Sequence, residues 1–142
     1  MENLQFDDGI RCYRINGGGA LRFNPADPNV YARFLEAEEK LLELERKLTA
    51  RLQPESGLEA VRLLAEADRQ MKQLLSWVFG GENDFETLMK GVNLLAVAGN
   101  GQRVVTNLFA ALEPVLTEGA ERCAAEQTAQ AVAQAECRRA QQ

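Results

Sequence analysis

The chain contains no histidine among its 142 residues and only three cysteines, at positions 12, 123 and 137. Without imidazole, neither a Ser-His-Asp or Cys-His nucleophile system nor a zinc site that requires imidazole can form. Three cysteines cannot supply the four thiolates of an all-cysteine zinc site, and their odd number is typical of a reducing compartment. We therefore predict no catalytic, cofactor-binding or metal-binding residues. We expect that the protein is not an enzyme, although catalysis by carboxylates alone stays open.

The sequence also lacks a basic segment and a long apolar run. The formal net charge is −5 and the pI is about 4.9, so we expect no nucleic-acid partner. The longest apolar runs, residues 94–98 and 108–112, are far shorter than the roughly 20 residues of a membrane span. The first residues carry neither the basic nor the apolar region of a signal peptide. We therefore expect a cytoplasmic protein without a membrane partner.

Residues 10–24 carry the clearest β-strand signal. Apolar and basic side chains alternate over most of residues 10–15, residues 16–19 read Asn-Gly-Gly-Gly, and the alternation resumes at residue 20. This pattern predicts a β-hairpin in which Ile10 and Cys12 face the core, with Ile15 as a further candidate. A glycine-rich phosphate loop would lead into a helix rather than a second strand, so we interpret residues 17–19 as the hairpin turn.

Two long amphipathic helices are predicted over residues 28–53 and 58–79. Asp27 can cap the first helix with Pro28 as its first residue, unless Asn24 and Pro25 do so. Its heptad-spaced apolar residues are Phe34, Ala37, Leu41, Leu44 and Leu48, and the stripe is widened by Tyr31, Leu35, Leu42 and Leu52. Antiparallel packing within the chain is favoured over a seam to a partner chain, because this pattern lasts barely three heptads.

The second helix presents one apolar stripe, which comprises Leu58, Val61, Leu64, Ala67, Met71, Leu74, Leu75 and Val78. Gly80-Gly81 should end this helix in a left-handed cap. Asn83 or Asp84 can then cap a short helix that ends near residue 90, and residues 99–101 read as a turn.

A further helix is predicted from about residue 102, with a kink or a restart at Pro114. After Gly119 the chain is rich in alanine and glutamine, which suits a frayed helix or one ordered by a partner. We predict one domain over residues 1–118 and a helical or frayed tail over 119–142. The predicted fold is mainly α with a small N-terminal β-hairpin (α+β), built as an antiparallel helical bundle.

Three stretches resemble a family of small tail-region proteins from phages and prophages of Gram-positive bacteria. They are residues 21–27 (Leu-Arg-Phe-Asn-Pro-Ala-Asp), residues 71–80 (Met-Lys-Gln-Leu-Leu-Ser-Trp-Val-Phe-Gly), and residues 85–112 with the turn at Gly99. The resemblance implies a tail assembly chaperone that binds a phage tape-measure protein in the bacterial host cytoplasm during tail morphogenesis. A small oligomeric structural or connector protein of the phage is the alternative.

The apolar surface of the first predicted helix is wider than one antiparallel neighbour would cover. The cluster at residues 77–79 (Trp-Val-Phe) adds bulky side chains beside the break at residues 80–81, and a lone hairpin has free edges. We therefore expect self-association. For the tape-measure partner that the resemblance implies, the candidate partner-binding residues are Tyr31, Phe34, Leu41, Leu44, Leu48, Trp77 and Phe79.

Overall fold

The computed structural model describes residues 1–52 and 57–141. Its elements in chain order are β1 (Arg11–Arg14), β2 (Ala20–Phe23), α1 (Pro28–Leu52), α2 (Leu58–Phe79), α3 (Phe85–Leu88) and α4 (Val104–Ala140). The prediction of a mainly helical chain with an N-terminal β-hairpin is confirmed. The predicted end of the first helix at residue 53 and most of the break that follows it lie outside the described residues.

The face of β1 that packs against the core is not the face that the sequence predicts. Tyr13 pairs with Leu21 and stacks on Phe23, and both of these β2 residues are buried. Ile10 and Cys12 are exposed instead. Because a register change of one residue exchanges the two faces of a strand, the buried Leu21 and Phe23 decide which side of β1 faces inward.

α1 begins as the sequence predicts, and it lies between α2 and α4. Asp27 accepts a hydrogen bond from the Asn29 amide at 2.9 Å, which satisfies a donor in the first turn of the helix. Near that end of α1, Arg33 donates to the Val78 carbonyl at 2.9 Å, close to the end of α2. Leu48, near the other end of α1, lines a groove with residues 63–70 of α2. The two helices are therefore antiparallel, as predicted.

α4 is antiparallel to α1 as well. The rings of Phe34 and Phe109 lie 5.4 Å apart between their centroids, and farther along α1 the Arg103 guanidinium lies 4.0 Å from the Glu45 carboxylate. On α2, the buried stripe begins at Leu63, whereas Leu58 and Val61, predicted to lie on it, are exposed. The first turn of α2 therefore extends beyond the cover that its neighbours provide.

The segment after α2 fastens the hairpin to the helices. Gly80 ends α2 with φ 97° and ψ 167°, so its ψ is extended and the predicted left-handed cap is wrong. The Asn83 amide accepts from the Arg22 N–H at 2.9 Å and donates to the Arg22 carbonyl at 2.7 Å. Asn83 thus occupies the outer edge of β2 as a neighbouring strand would, and Asp84 caps α3.

α4 continues through Pro114, which neither ends the helix nor starts a new one. Proline cannot donate to the carbonyl four residues earlier, but Ala110 is exposed and water can bond its carbonyl. Farther along, Gly119 is buried against the Pro25 backbone, and a side chain at residue 119 would collide with that carbonyl. From residue 124 to 141 every residue is exposed except the half-buried Ala135.

None of the helices in the described part of the chain is long and apolar enough to cross a membrane.

Candidate partner-binding surface

The structure places four of the seven predicted partner-binding residues in the hydrophobic core. Phe34, Leu41, Leu48 and Phe79 are buried, with at most 6% of each side chain's surface exposed. Phe34 and Leu41 pack toward α4 and Leu48 toward α2, whereas Phe79 packs against the rings of Phe23 and Phe85. These four residues therefore present little accessible surface. Their burial does not favour the predicted role of these four residues in partner binding.

The other three predicted residues reach the surface to different degrees. Tyr31 and Leu44 are half-buried and pack on the core from its edge. Trp77 is 45% exposed, and the Lys40 ammonium lies 5.3 Å from the centroid of its ring. This cation–π contact covers one face of the indole. Of the residue 77–79 cluster, only Trp77 is therefore available to a partner, and a partner would compete with Lys40 for its ring.

A broader apolar surface lies between α1 and α4. We call it the α1/α4 furrow, a groove of about 360 Å³ lined by Glu38, Leu41, Leu42, Glu45, Val105, Thr106, Phe109, Ala110 and Glu113. Leu42 is 65% exposed and Phe109 is half-buried, so apolar groups form a wall and part of the floor. Leu35, 47% exposed, precedes Leu42 by two turns on the same face of α1.

The furrow continues along α1 into a second, more open groove. This groove has a volume of about 740 Å³ and is lined by Leu42, Glu45, Arg46, Thr49, Ala50 and Arg103. Leu42 and Glu45 line both grooves, so the two grooves adjoin along α1, and together we call them the channel. The furrow part of the channel runs between the two antiparallel helices α1 and α4, which is the direction that a third helix needs in order to pack there.

The charges along the channel differ between its two ends. At one end, Glu38 of α1 and Glu113 of α4 line the furrow together. Burial and then the negative charge of Glu113 raise the pKa of the Glu38 carboxyl above its ordinary value. At the other end, Arg103 lies 4.0 Å from Glu45, with Arg46 beside them. The end near residues 38 and 113 therefore favours a cationic side chain on anything that binds there.

The sequence contained part of the signal for this surface. Leu35 and Leu42 are spaced by seven residues and lie beside the buried α1 stripe, which is why the stripe reads as too wide for one neighbour. Phe109 and Glu113 belong to α4, and local periodicity does not encode which neighbour a helix pairs with. The sequence therefore predicts that the apolar surface of α1 is wider than one neighbour covers. It does not predict that this surface forms a groove with α4.

The described residues contain no group of three or more cysteine, aspartate or glutamate side chains that could hold a metal ion. No family model, curated protein or solved structure matches the chain. Support for a function therefore comes from the chain's own surface, where an apolar channel between two helices suits the burial of a third amphipathic helix.

Proposed function

We propose that this protein is a non-enzymatic phage tail assembly chaperone that binds a helical segment of a tape-measure protein. The observation that supports the proposal best is the α1/α4 furrow, in which Leu42 is 65% exposed beside Phe109. A chaperone for a long helical client needs an accessible apolar strip that a client helix can cover and later leave. The resemblance of three stretches to tail-region proteins is the reason to propose a tape-measure protein as the client.

The furrow suits a helix better than an extended strand. Helices that recognise a groove present apolar side chains at i, i+3, i+4 and i+7, and Leu35 and Leu42 offer contacts at the matching separation of two turns. A bound extended strand would need unpaired backbone groups on its host, and the furrow is walled by helices, whose backbone groups are paired internally. The client segment is therefore an amphipathic helix.

A small structural or connector protein of the phage is the second candidate. The half of α4 beyond residue 123 favours it, because this helix extends past the core with its side chains exposed and can join copies of the chain. A chaperone leaves before the particle is complete, whereas a connector stays. Mass spectrometry of purified phage particles separates the two: the chain is absent from particles if it is a chaperone and present if it is a connector.

The direct test is co-expression with the tape-measure protein of the same phage genome, followed by affinity purification of either partner. We expect Leu42→Glu to abolish co-purification, because burying a leucine contributes about 1.5–3 kcal/mol and a buried unpaired carboxylate costs more. Leu58→Glu is the matched control, since Leu58 is 79% exposed on α2 and lies outside the furrow. Equal loss with both variants, or with neither, would reject the furrow as the client site.

Trp77→Ala tests whether the only exposed member of the cluster at residues 77–79 contributes to binding. Its effect on co-purification is compared with that of Leu42→Glu. Phe79→Ala is unsuitable for this purpose, because Phe79 is 5% exposed and packs against the rings of Phe23 and Phe85. Its truncation would destabilise the fold by about 3–5 kcal/mol and would confuse loss of folding with loss of binding.

A further inference from the structure

The second half of α4 carries a regular line of residues that the rest of the described chain leaves mostly exposed. Positions 118, 122, 125, 129, 132, 136 and 139 follow each other at alternating spacings of four and three, which is the heptad spacing of a coiled-coil seam. We call this line the α4 seam; its residues are Glu118, Arg122, Ala125, Ala129, Val132, Glu136 and Arg139. All are exposed except Arg122, which is half-buried.

The order of charges along the α4 seam reverses in sign about its centre. From one end the seam reads acidic, basic, alanine, alanine, valine, acidic and basic. When two copies align antiparallel about the point midway between residues 128 and 129, Glu118 lies opposite Arg139 of the other copy, and Arg122 lies within one residue of Glu136 of the other copy. Each of these pairs occurs twice. A parallel alignment would instead place each charged residue against the same residue of the other copy, and these like charges would repel.

The ionic groups of the seam are free to make these contacts. Within residues 1–52 and 57–141, the structure records no ion pair for Glu118, Arg122, Glu136 or Arg139. The central residues Ala125 and Ala129 are small, so two helices can approach to about 8 Å between their axes. Val132 is 52% exposed and faces Ala125 of the other copy in this register.

The position of the rest of the chain also favours the antiparallel arrangement. The seam spans 22 residues, or about 32 Å of helix. The helical bundle adjoins only its first end, where Gly119 packs on Pro25. In the antiparallel pair the two bundles therefore lie at opposite ends of the seam, whereas a parallel pair would force them side by side.

We propose that two copies of this chain associate through the α4 seam as an antiparallel, two-fold symmetric helix pair. This interface is distinct from the α1/α4 furrow, so a dimer leaves both furrows open. The repeated Glu118–Arg139 and Arg122–Glu136 contacts set the direction and register of the pair, and the alanine and valine layers between them supply the close contact.

The first experiment measures the oligomeric state of the full chain by sedimentation equilibrium over a range of concentrations. We expect a monomer–dimer equilibrium for the natural chain. Arg122→Glu should weaken the dimer about tenfold or more, because at each of the two symmetric contacts it places a carboxylate against Glu136 of the other copy. Adding Glu136→Arg restores opposite charges in both contacts and should restore the dimer. Circular dichroism checks that each variant remains helical.

Arg138→Glu is the matched control. It makes the same change of charge as Arg122→Glu, but residue 138 lies on the side of α4 opposite to Ala129, since nine residues correspond to two and a half turns. We expect the dimer to persist in this variant. A natural chain that stays monomeric at every concentration, or a dimer that Arg122→Glu leaves unchanged, would overturn the proposal.

Disulfide trapping then distinguishes the two directions of pairing. In a background with the three natural cysteines changed to serine, Ala125→Cys and Val132→Cys chains are mixed and oxidised. The antiparallel register places residue 125 of one copy beside residue 132 of the other, so the mixed disulfide should exceed both like-with-like products. A parallel seam would give the like-with-like products instead and would contradict the proposed direction.

Discussion

The ammonium of Lys72 lies 2.8 Å from the Asp68 carboxylate, and both side chains are buried within α2. Lys72 also donates to Glu86 at 3.0 Å, and Asp68 accepts the Leu94 N–H at 2.7 Å. One buried ion pair on α2 thus holds both the α3 region and the loop before α4. Burial opposes the charged form of Lys72, but its hydrogen bonds to Asp68 and Glu86 outweigh burial and raise its pKa.

Lys72→Met should lower the free energy of unfolding by about 3–5 kcal/mol, because it leaves the buried Asp68 carboxylate without its cation. Urea unfolding measures this loss. Adding Asp68→Asn removes the unpaired charge while an amide oxygen can still accept from Leu94, so the double variant should recover part of the loss. The control is Lys47→Met, which breaks an exposed pair with Glu43 and should cost under about 1 kcal/mol.

The raised pKa of Lys72 predicts the alkaline dependence of stability as well. A lysine whose pKa is higher in the folded than in the unfolded chain binds its proton more tightly when folded, so its contribution is complete below the unfolded pKa of about 10.4. That contribution is lost as the pH rises through the folded pKa. Between neutral pH and a pH above 10.4, the unfolding free energy should therefore decrease more for the natural chain than for Lys72→Met. Parallel curves of unfolding free energy against pH would contradict this.

The pattern of apolar residues predicts the helices but not how they are assembled. Phe34 and Leu41 fall on the predicted α1 stripe and are buried, because a heptad pattern reports the buried face of a helix wherever its cover comes from. The same pattern cannot distinguish cover by α2 from cover by a partner chain. For that reason the pattern predicts the buried Leu48 as a partner-binding residue, and bulk beside the break at residues 80–81 does the same for the buried Phe79.

The parts that the sequence did not predict depend on contacts between distant residues. The inward face of β1 is decided by Leu21 and Phe23 on β2, and the outer edge of β2 is closed by Asn83, which is 61 residues from Arg22. The furrow likewise needs Phe109 of α4 beside Leu42 of α1. Local propensity contains no information about such pairs, so only the excess width of the α1 stripe was visible.

Gly119→Ala should destabilise the fold, although alanine normally favours a helix over glycine by about 1 kcal/mol. A Cβ at residue 119 would overlap the carbonyl of Pro25, so either α4 or the turn before α1 must shift. We expect a net loss of about 1–3 kcal/mol, measured by thermal unfolding. Gly81→Ala is the control, because a Cβ there meets open space. A stability equal to or above that of the natural chain would show that the two segments separate freely.

Asn83→Ala should loosen the hairpin while the helices stay folded. The substitution leaves the Arg22 N–H and carbonyl without their partner, at a cost of about 1–3 kcal/mol. Amide hydrogen exchange should therefore accelerate in residues 20–23 more than in α1. Asn100→Ala serves as the comparison, since the exposed Asn100 bonds the nearby Asn107 and its loss should change stability by under about 0.5 kcal/mol. Uniform acceleration along the chain would mean that Asn83 stabilises the whole fold instead.

Glu38→Gln should raise the free energy of unfolding near neutral pH. The pKa of the Glu38 carboxyl is raised by burial and by the charge of Glu113, so ionisation is less favourable in the folded chain than in the unfolded one. For a carboxyl whose folded pKa is raised, the folded state binds more protons, and stability falls as the pH rises from the unfolded pKa through the folded pKa. The gain from glutamine should therefore be present near neutral pH and disappear at a pH well below the unfolded pKa of about 4.3, where the natural side chain is already uncharged.

Glu113→Gln provides the second arm of this experiment, because it removes the charge that acts on Glu38. The combined variant should gain less than the sum of the two single variants, since the repulsion between the carboxylates can be removed only once. Glu43→Gln is the matched control on α1: it removes the exposed pair with Lys47 and should slightly lower stability at neutral pH. Additive gains from residues 38 and 113, or a gain that persists in acid, would show that their repulsion across the furrow does not limit stability.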